Sequence, residues 1–131
     1  MILADTSAWV EYLRATGSAT NVSLRRLIAD EEDLVVTDVV VMEILAGAPT
    51  ERRVVELRRL LNRFDLLPVQ GLADFEAAAA LYRTCRRGGE TVRKLTDCLI
   101  AAVALRTGAS LLHCDRDFDA IARHAPLVIA S

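Results

Sequence analysis

Met1-Ile2-Leu3-Ala4-Asp5-Thr6-Ser7 opens the chain. Residues 1–4 are apolar and suit a short buried strand. Thr6–Leu13 then reads as a helix with Trp9, Val10 and Leu13 on one face. Asp5 falls at the junction, where a charge beside buried surface is costly unless something compensates it. The same conflict recurs further along. Glu43 interrupts Val39-Val40-Val41-Met42 and Ile44-Leu45, Asp97 opens the apolar stretch 98–105, and Asp115 follows Leu111-Leu112-His113-Cys114. No single Lys or Arg lies near enough in sequence to neutralise all four. A divalent cation bound by oxygens would do so, and would make the site chemically useful.

Outward from that opening, strands and helices alternate. Residues 20–30 read as a helix with Val22, Leu24, Leu27 and Ile28 inward, and Leu34-Val35-Val36 as a strand. Asp38 is placed to cap a helix over 39–46, which Gly47 and Pro49 end. Residues 50–64 form an amphipathic pattern, with Val54, Leu57, Leu61 and Phe64 on one face and Arg52, Arg53, Arg59 and Arg63 elsewhere. That face suits packing against the body or docking of a partner helix. Leu66-Leu67-Pro68-Val69 reads as a strand near an edge, because proline cannot donate to a ladder. A helix over 72–87 stops at Gly88-Gly89. Residues 97–106 are apolar nearly all round and predict the central buried helix. Strands over 110–114 and 127–129, with a short helix at 118–123 between them, complete the chain.

This alternation implies parallel pairing and an α/β fold, a three-layer α/β/α sandwich with a short, mainly parallel sheet, as one domain over 1–131. The glycines and charges of 86–94 mark it as the most mobile segment.

Composition narrows the function. Hydrophobic residues are 53% and mean hydropathy is +0.28, so the interior should be well filled or some surface apolar. No segment reaches the ~18 uncharged apolar residues of a membrane helix, and acidic Asp5 comes too early for a secretory leader. Three cysteines without CxxC spacing suit a reduced, cytoplasmic protein. Cys85 and Cys98 fall on apolar helix faces, as core residues do. Net charge is −2, which argues against a generic, basic nucleic-acid binder. Two divalent ions held by four of the acids would reverse that balance.

In open parallel sheets, sites form beyond the C-terminal ends of the strands. Asp5 and Asp115 each follow a strand, Asp97 starts a helix, and Glu43 sits about one turn into its helix with a longer side chain. All four are therefore expected at one rim, and oxygen donors favour Mg²⁺ or Mn²⁺. Each acid also has a plainer reading. Asp5 suits a helix N-cap and Asp97 a helical first turn. Glu43 has no capping role. Asp115, Asp117 and Asp119 alternate like a calcium loop, but Ala120 and Pro126 stand where that loop needs Gly and Glu. Asp119 reads as solvated. His113 and His124 are too few and too far apart for zinc.

These acids resemble those of the PIN-domain ribonucleases, most closely the VapC-type toxins of bacterial toxin–antitoxin pairs. The matching residues are Ile2-Leu3-Ala4-Asp5-Thr6-Ser7, Val41-Met42-Glu43-Ile44-Leu45, Thr96-Asp97-Cys98-Leu99-Ile100-Ala101-Ala102 and Asp115-Arg116-Asp117-Phe118. One departure is His113-Cys114 before Asp115, where the family often carries a small hydroxyl residue. The resemblance implies a Mg²⁺-dependent endoribonuclease, with Mn²⁺ as a substitute, leaving 5′-phosphate and 3′-hydroxyl ends on a structured RNA such as tRNA. It implies Asp5, Glu43, Asp97 and Asp115 as catalytic metal ligands and Asp117 as a weaker fifth. Thr6, Ser7 and Thr96 would hold waters or phosphate oxygens. It also implies a cognate VapB-type antitoxin with a basic tail, and a homodimer or toxin–antitoxin hetero-oligomer. The alternatives are a DNA nuclease or phosphatase with similar acids, although a phosphatase would need an Asp where Ser7 stands, and a non-catalytic partner-binding module.

Overall fold

The structure, a computed structural model, describes residues 1–130. Among these residues the chain runs β1 (Ile2–Ala4), α1 (Thr6–Leu13), α2 (Ala19–Ala29), β2 (Leu34–Val36), α3 (Asp38–Ala46), α4 (Glu51–Leu61), β3 (Asp65–Leu66), α5 (Gly71–Arg87), α6 (Leu95–Thr107), β4 (Ser110–Leu112) and α7 (Arg116–His124). The strands form one parallel sheet in the order β3-β2-β1-β4. Leu3 pairs with Val35 on one side and Leu111 on the other. Successive strand residues face opposite sides of a sheet. Leu3 and Ala4, Val35 and Val36, and Leu111 and Leu112 are all buried, so helices cover both faces. This is the α/β architecture expected from the alternation.

Helix α6 is buried from Asp97 to Ala104. It packs against α5, α7, α3 and β4, which is why its sequence shows no polar face. Gly108, at φ +76°, ends it in the left-handed conformation. An ion pair locks the far end: Arg106 Nε donates to Asp74 Oδ1 at 2.9 Å, and Nη2 to Asp74 Oδ2 at 3.0 Å and Pro68 O at 2.8 Å. Asp74 also accepts from the Gln70 N–H at the start of α5, and Arg106 holds its carboxyl below the usual range.

Several local expectations change. The strand at 66–69 shrinks to Asp65–Leu66, because Pro68 has no N–H and the Val69 N–H turns to Asp38 Oδ1. The strand at 127–129 reduces to a single parallel bridge between Leu111 and Ile129. Val22 is exposed rather than inward. Asn21 takes the core position, donating to Glu11 O at 2.9 Å, and the stripe runs Asn21, Leu24, Ile28. Asp38 is the first helical residue, after Thr37 at the cap position, yet its Oδ1 still accepts from the Val39 N–H. Segment 86–94 is held in place. Val92 is buried, Glu90 pairs with Arg123 and His124, and a Cβ on Gly88 would run into the His124 ring.

Asp74 is buried, but Arg106 is exposed and stays hydrated when its partner is removed. Asp74→Asn is therefore expected to destabilise the chain by about 1–2 kcal/mol at pH 7. The folded carboxyl titrates below its ordinary 3.8, so the pair's contribution is present above that value and is lost as pH falls through the folded pKa. Urea unfolding at pH 7 and pH 3 checks this. A loss that does not shrink at the lower pH would refute it.

Candidate metal centre

Three helix N-termini converge beyond the C-terminal ends of β1 and β4, where the chain's path along the sheet reverses. Asp5 is the N-cap of α1, Asp115 is the N-cap of α7, and Asp97 lies in the first turn of α6. The Asp5 N–H donates to Leu112 O at 3.0 Å, which ties the two strand ends together. Glu43 comes from the second turn of α3 and reaches the same place. These four acids border one cavity of about 290 Å³, with Glu11, Lys94 and Cys114 completing its rim.

Each side chain is positioned separately. Ser7 Oγ donates to Asp5 Oδ1 at 2.7 Å and accepts from the Cys114 N–H at 2.8 Å. The Ala8 N–H caps onto the same Asp5 oxygen at 3.1 Å. Thr6 Oγ1 donates to Glu43 Oε1 at 2.7 Å. The hydroxyls of Thr6 and Ser7 thus orient acids with their protons, and half-buried Thr96 is not among the residues that line the cavity. Asp115 Oδ1 accepts from the Asp117 N–H, and the Asp115 N–H donates to His113 Nδ1. The imidazole therefore shapes the turn, and its Nε2 lies 3.3 Å from exposed Asp119. Carboxylate oxygens of Asp97, Asp115 and Asp117 all lie within 4.8 Å of one another.

The electrostatics single out Asp97. It is 4% exposed, and its Oδ2 has no hydrogen-bond partner among the described residues. Burial first, then the charges of Asp115 and Asp5, push its pKa up to about 7, against a small opposing effect of Lys94. Burial also raises Asp5, which Ser7 partly offsets. A buried acceptor with nothing to accept, among hard oxygen donors, fits a divalent cation.

Arg93 was not legible. It reaches Asp115 and Asp117 across 22 and 24 residues, and no local pattern signals such a pairing. Glu11 had a signal, standing one helical turn after Ser7. Lys94 and Cys114, next to the motifs, had weaker ones.

A PIN domain family model matches residues 2–124, so the chain belongs to the PIN-domain family. It is 52% identical, over 132 aligned residues, to Ribonuclease VapC11 of Mycobacterium tuberculosis and to VapC ribonuclease Mb1587 of Mycobacterium bovis. Each alignment covers 100% of this chain and 98% of the relative, which places the chain among the family's VapC ribonucleases. The fold is also that of a chain in the VapBC2 structure from Rickettsia felis bound to a DNA fragment from their promoter. The TM-score is 0.76 at 17% identity, over 99% of this chain and 98% of that one.

The raised pKa of Asp97 fixes a pH dependence. Between pH 3.8 and about 7 the folded chain holds a proton that the unfolded chain has lost, so stability falls as pH rises through that window. Asp97→Asn should stabilise the metal-free protein by roughly 2–4 kcal/mol at pH 8. The gain should fade toward pH 4. Equal melting temperatures for variant and wild type at pH 8 would contradict the assignment.

Proposed function

We propose that the chain is a metal-dependent endoribonuclease toxin that hydrolyses phosphodiester bonds in a structured RNA. The observation that carries this is the buried, unpartnered Asp97 oxygen in a cavity shared with Asp5, Glu43 and Asp115. Those four side chains would hold Mg²⁺, or Mn²⁺ in its place. The bound cation would supply charge neutralisation at phosphorus and a more acidic water.

The chain's own residues would do the rest. Thr6 and Ser7 keep Glu43 and Asp5 aimed into the cavity. Asp97 gives up its proton when it acts as a ligand, so proton and cation compete and metal binding should weaken as pH falls below about 7. Lys94, exposed at the rim, offers a positive charge to the RNA backbone.

A VapB-type antitoxin is the partner this reading calls for. The R. felis VapBC2 structure supports it, and so does the uncompensated charge of the site, which a basic side chain would relieve. Exposed Met42 and Val55, on the packed pair α3 and α4, offer apolar surface to that partner or to a second copy. The free thiols Cys85, Cys98 and Cys114 suit a reducing cytoplasm. No helix among the described residues is long and apolar enough to cross a membrane.

The test is cleavage of total RNA by wild type, Asp5→Asn and Asp97→Asn, with Mg²⁺, with Mn²⁺ and with chelator. Each variant is expected to be slower by more than about a hundredfold, and chelator to abolish cleavage. Equal rates in wild type and Asp97→Asn would remove the mechanism. Cleavage of single-stranded DNA in place of RNA would move the chain to the other nuclease class.

A further inference from the structure

Arg93 is the residue that the acid pattern did not anticipate. It closes the loop after α5 and precedes Lys94, the N-cap of α6. Its backbone N–H donates to Asp117 Oδ2 at 3.1 Å, and its Nε lies 3.3 Å from both Asp117 oxygens. Its far end reaches the other acid, with Nη2 donating to Asp115 Oδ1 at 2.9 Å. The Asp117 side chain is 6% exposed, that of Asp115 13%, and that of Arg93 53%.

The three clustered acids are therefore not equivalent. Both oxygens of Asp117 are engaged by one residue, through main chain and side chain together. Asp97 Oδ2 is engaged by none. Asp115 stands between them, sharing Oδ1 between Arg93 and the Asp117 N–H. A guanidinium and a divalent cation a few ångström apart repel, so Asp115 cannot serve both at full strength.

We propose that Arg93 is a resident counter-ion of the acidic centre, anchored on Asp117, which competes with a divalent cation for the carboxylate of Asp115. This rests on the metal-site reading above. Asp117 then becomes a positioning residue rather than a fifth ligand. It holds the loop that sets α6, and with it Asp97, against the start of α7. Arg93 keeps the like charges together when no other cation shares them, and weakens binding of the cation that replaces it.

Calorimetric titration of Mn²⁺ into the full chain at low ionic strength tests this, with melting of the metal-free proteins alongside. Arg93→Gln keeps the stem and removes the charge. It should bind Mn²⁺ roughly tenfold tighter, the size of one unit repulsion at a few ångström in a partly exposed site, yet melt lower without metal. Raised salt should narrow the difference. Asp117→Asn should keep the wild-type stoichiometry and weaken binding by no more than roughly tenfold, the effect of one unit charge at that distance, while Asp97→Asn loses the heat. Equal or weaker binding by Arg93→Gln, or loss of binding in Asp117→Asn, overturns the proposal and leaves the metal site standing. Identical heats for wild type and Asp97→Asn overturn both.

Discussion

A buried carboxylate pressed against others of its kind governs this fold. Asp97 sits where a proton, a metal or a basic side chain must answer its charge. Two unit charges 4.8 Å apart repel by about 3–4 kcal/mol at an effective dielectric constant of ~20. That is a large share of the stability of a small domain. The surrounding geometry reads as a set of devices for tolerating it. Three helix N-termini point their partial positive ends at the acids, each worth roughly 0.3–1 kcal/mol. Hydroxyls hold Asp5 and Glu43, and Arg93 spans the remaining pair.

The same convergence removes an apparent choice between capping and function. Asp5 does cap α1, accepting from the Ala8 N–H through Oδ1. Asp115 caps α7 through its own Oδ1. Capping fixes one oxygen of each carboxylate and so fixes the plane of the other. The cap thus preorganises the site at no additional conformational cost. Asp97, inside the first turn of α6 and without such a bond, is the most strained of the acids electrostatically.

The frame was legible because its signals are local. The apolar run that ends at Asp5 marked the end of β1, and a helix without a polar face marked the centre of the molecule. The buried thiols of Cys85 and Cys98 also read correctly, whereas Asp38 lies one residue inside α3 with Thr37 at the cap. What the sequence concealed depends on partners far along the chain. Gly88-Gly89 looked like the start of a mobile loop, yet buried Val92 and the Glu90–Arg123–His124 contacts hold it. Val22 looked inward because hydrophobicity was the only criterion. A buried Asn21 bonded to a carbonyl of α1 turned α2 otherwise. In the site, residue type identified the acids, whereas Arg93 is visible only once α7 folds back beside α5.

One charge deficit also links the ligands this centre would bind. A formal charge of −2 makes the chain a poor binder of a polyanion, and much of its negative charge gathers where RNA would have to approach. A divalent cation reverses the local sign, so metal and RNA should each raise the affinity for the other, as linkage requires. A proton on Asp97 and a basic side chain from a partner answer the same deficit without the chemistry. Each of them competes with the cation for the same carboxylates. On the proposed reading, inhibition by a partner would require no change of shape, only a positive charge held in place of the metal.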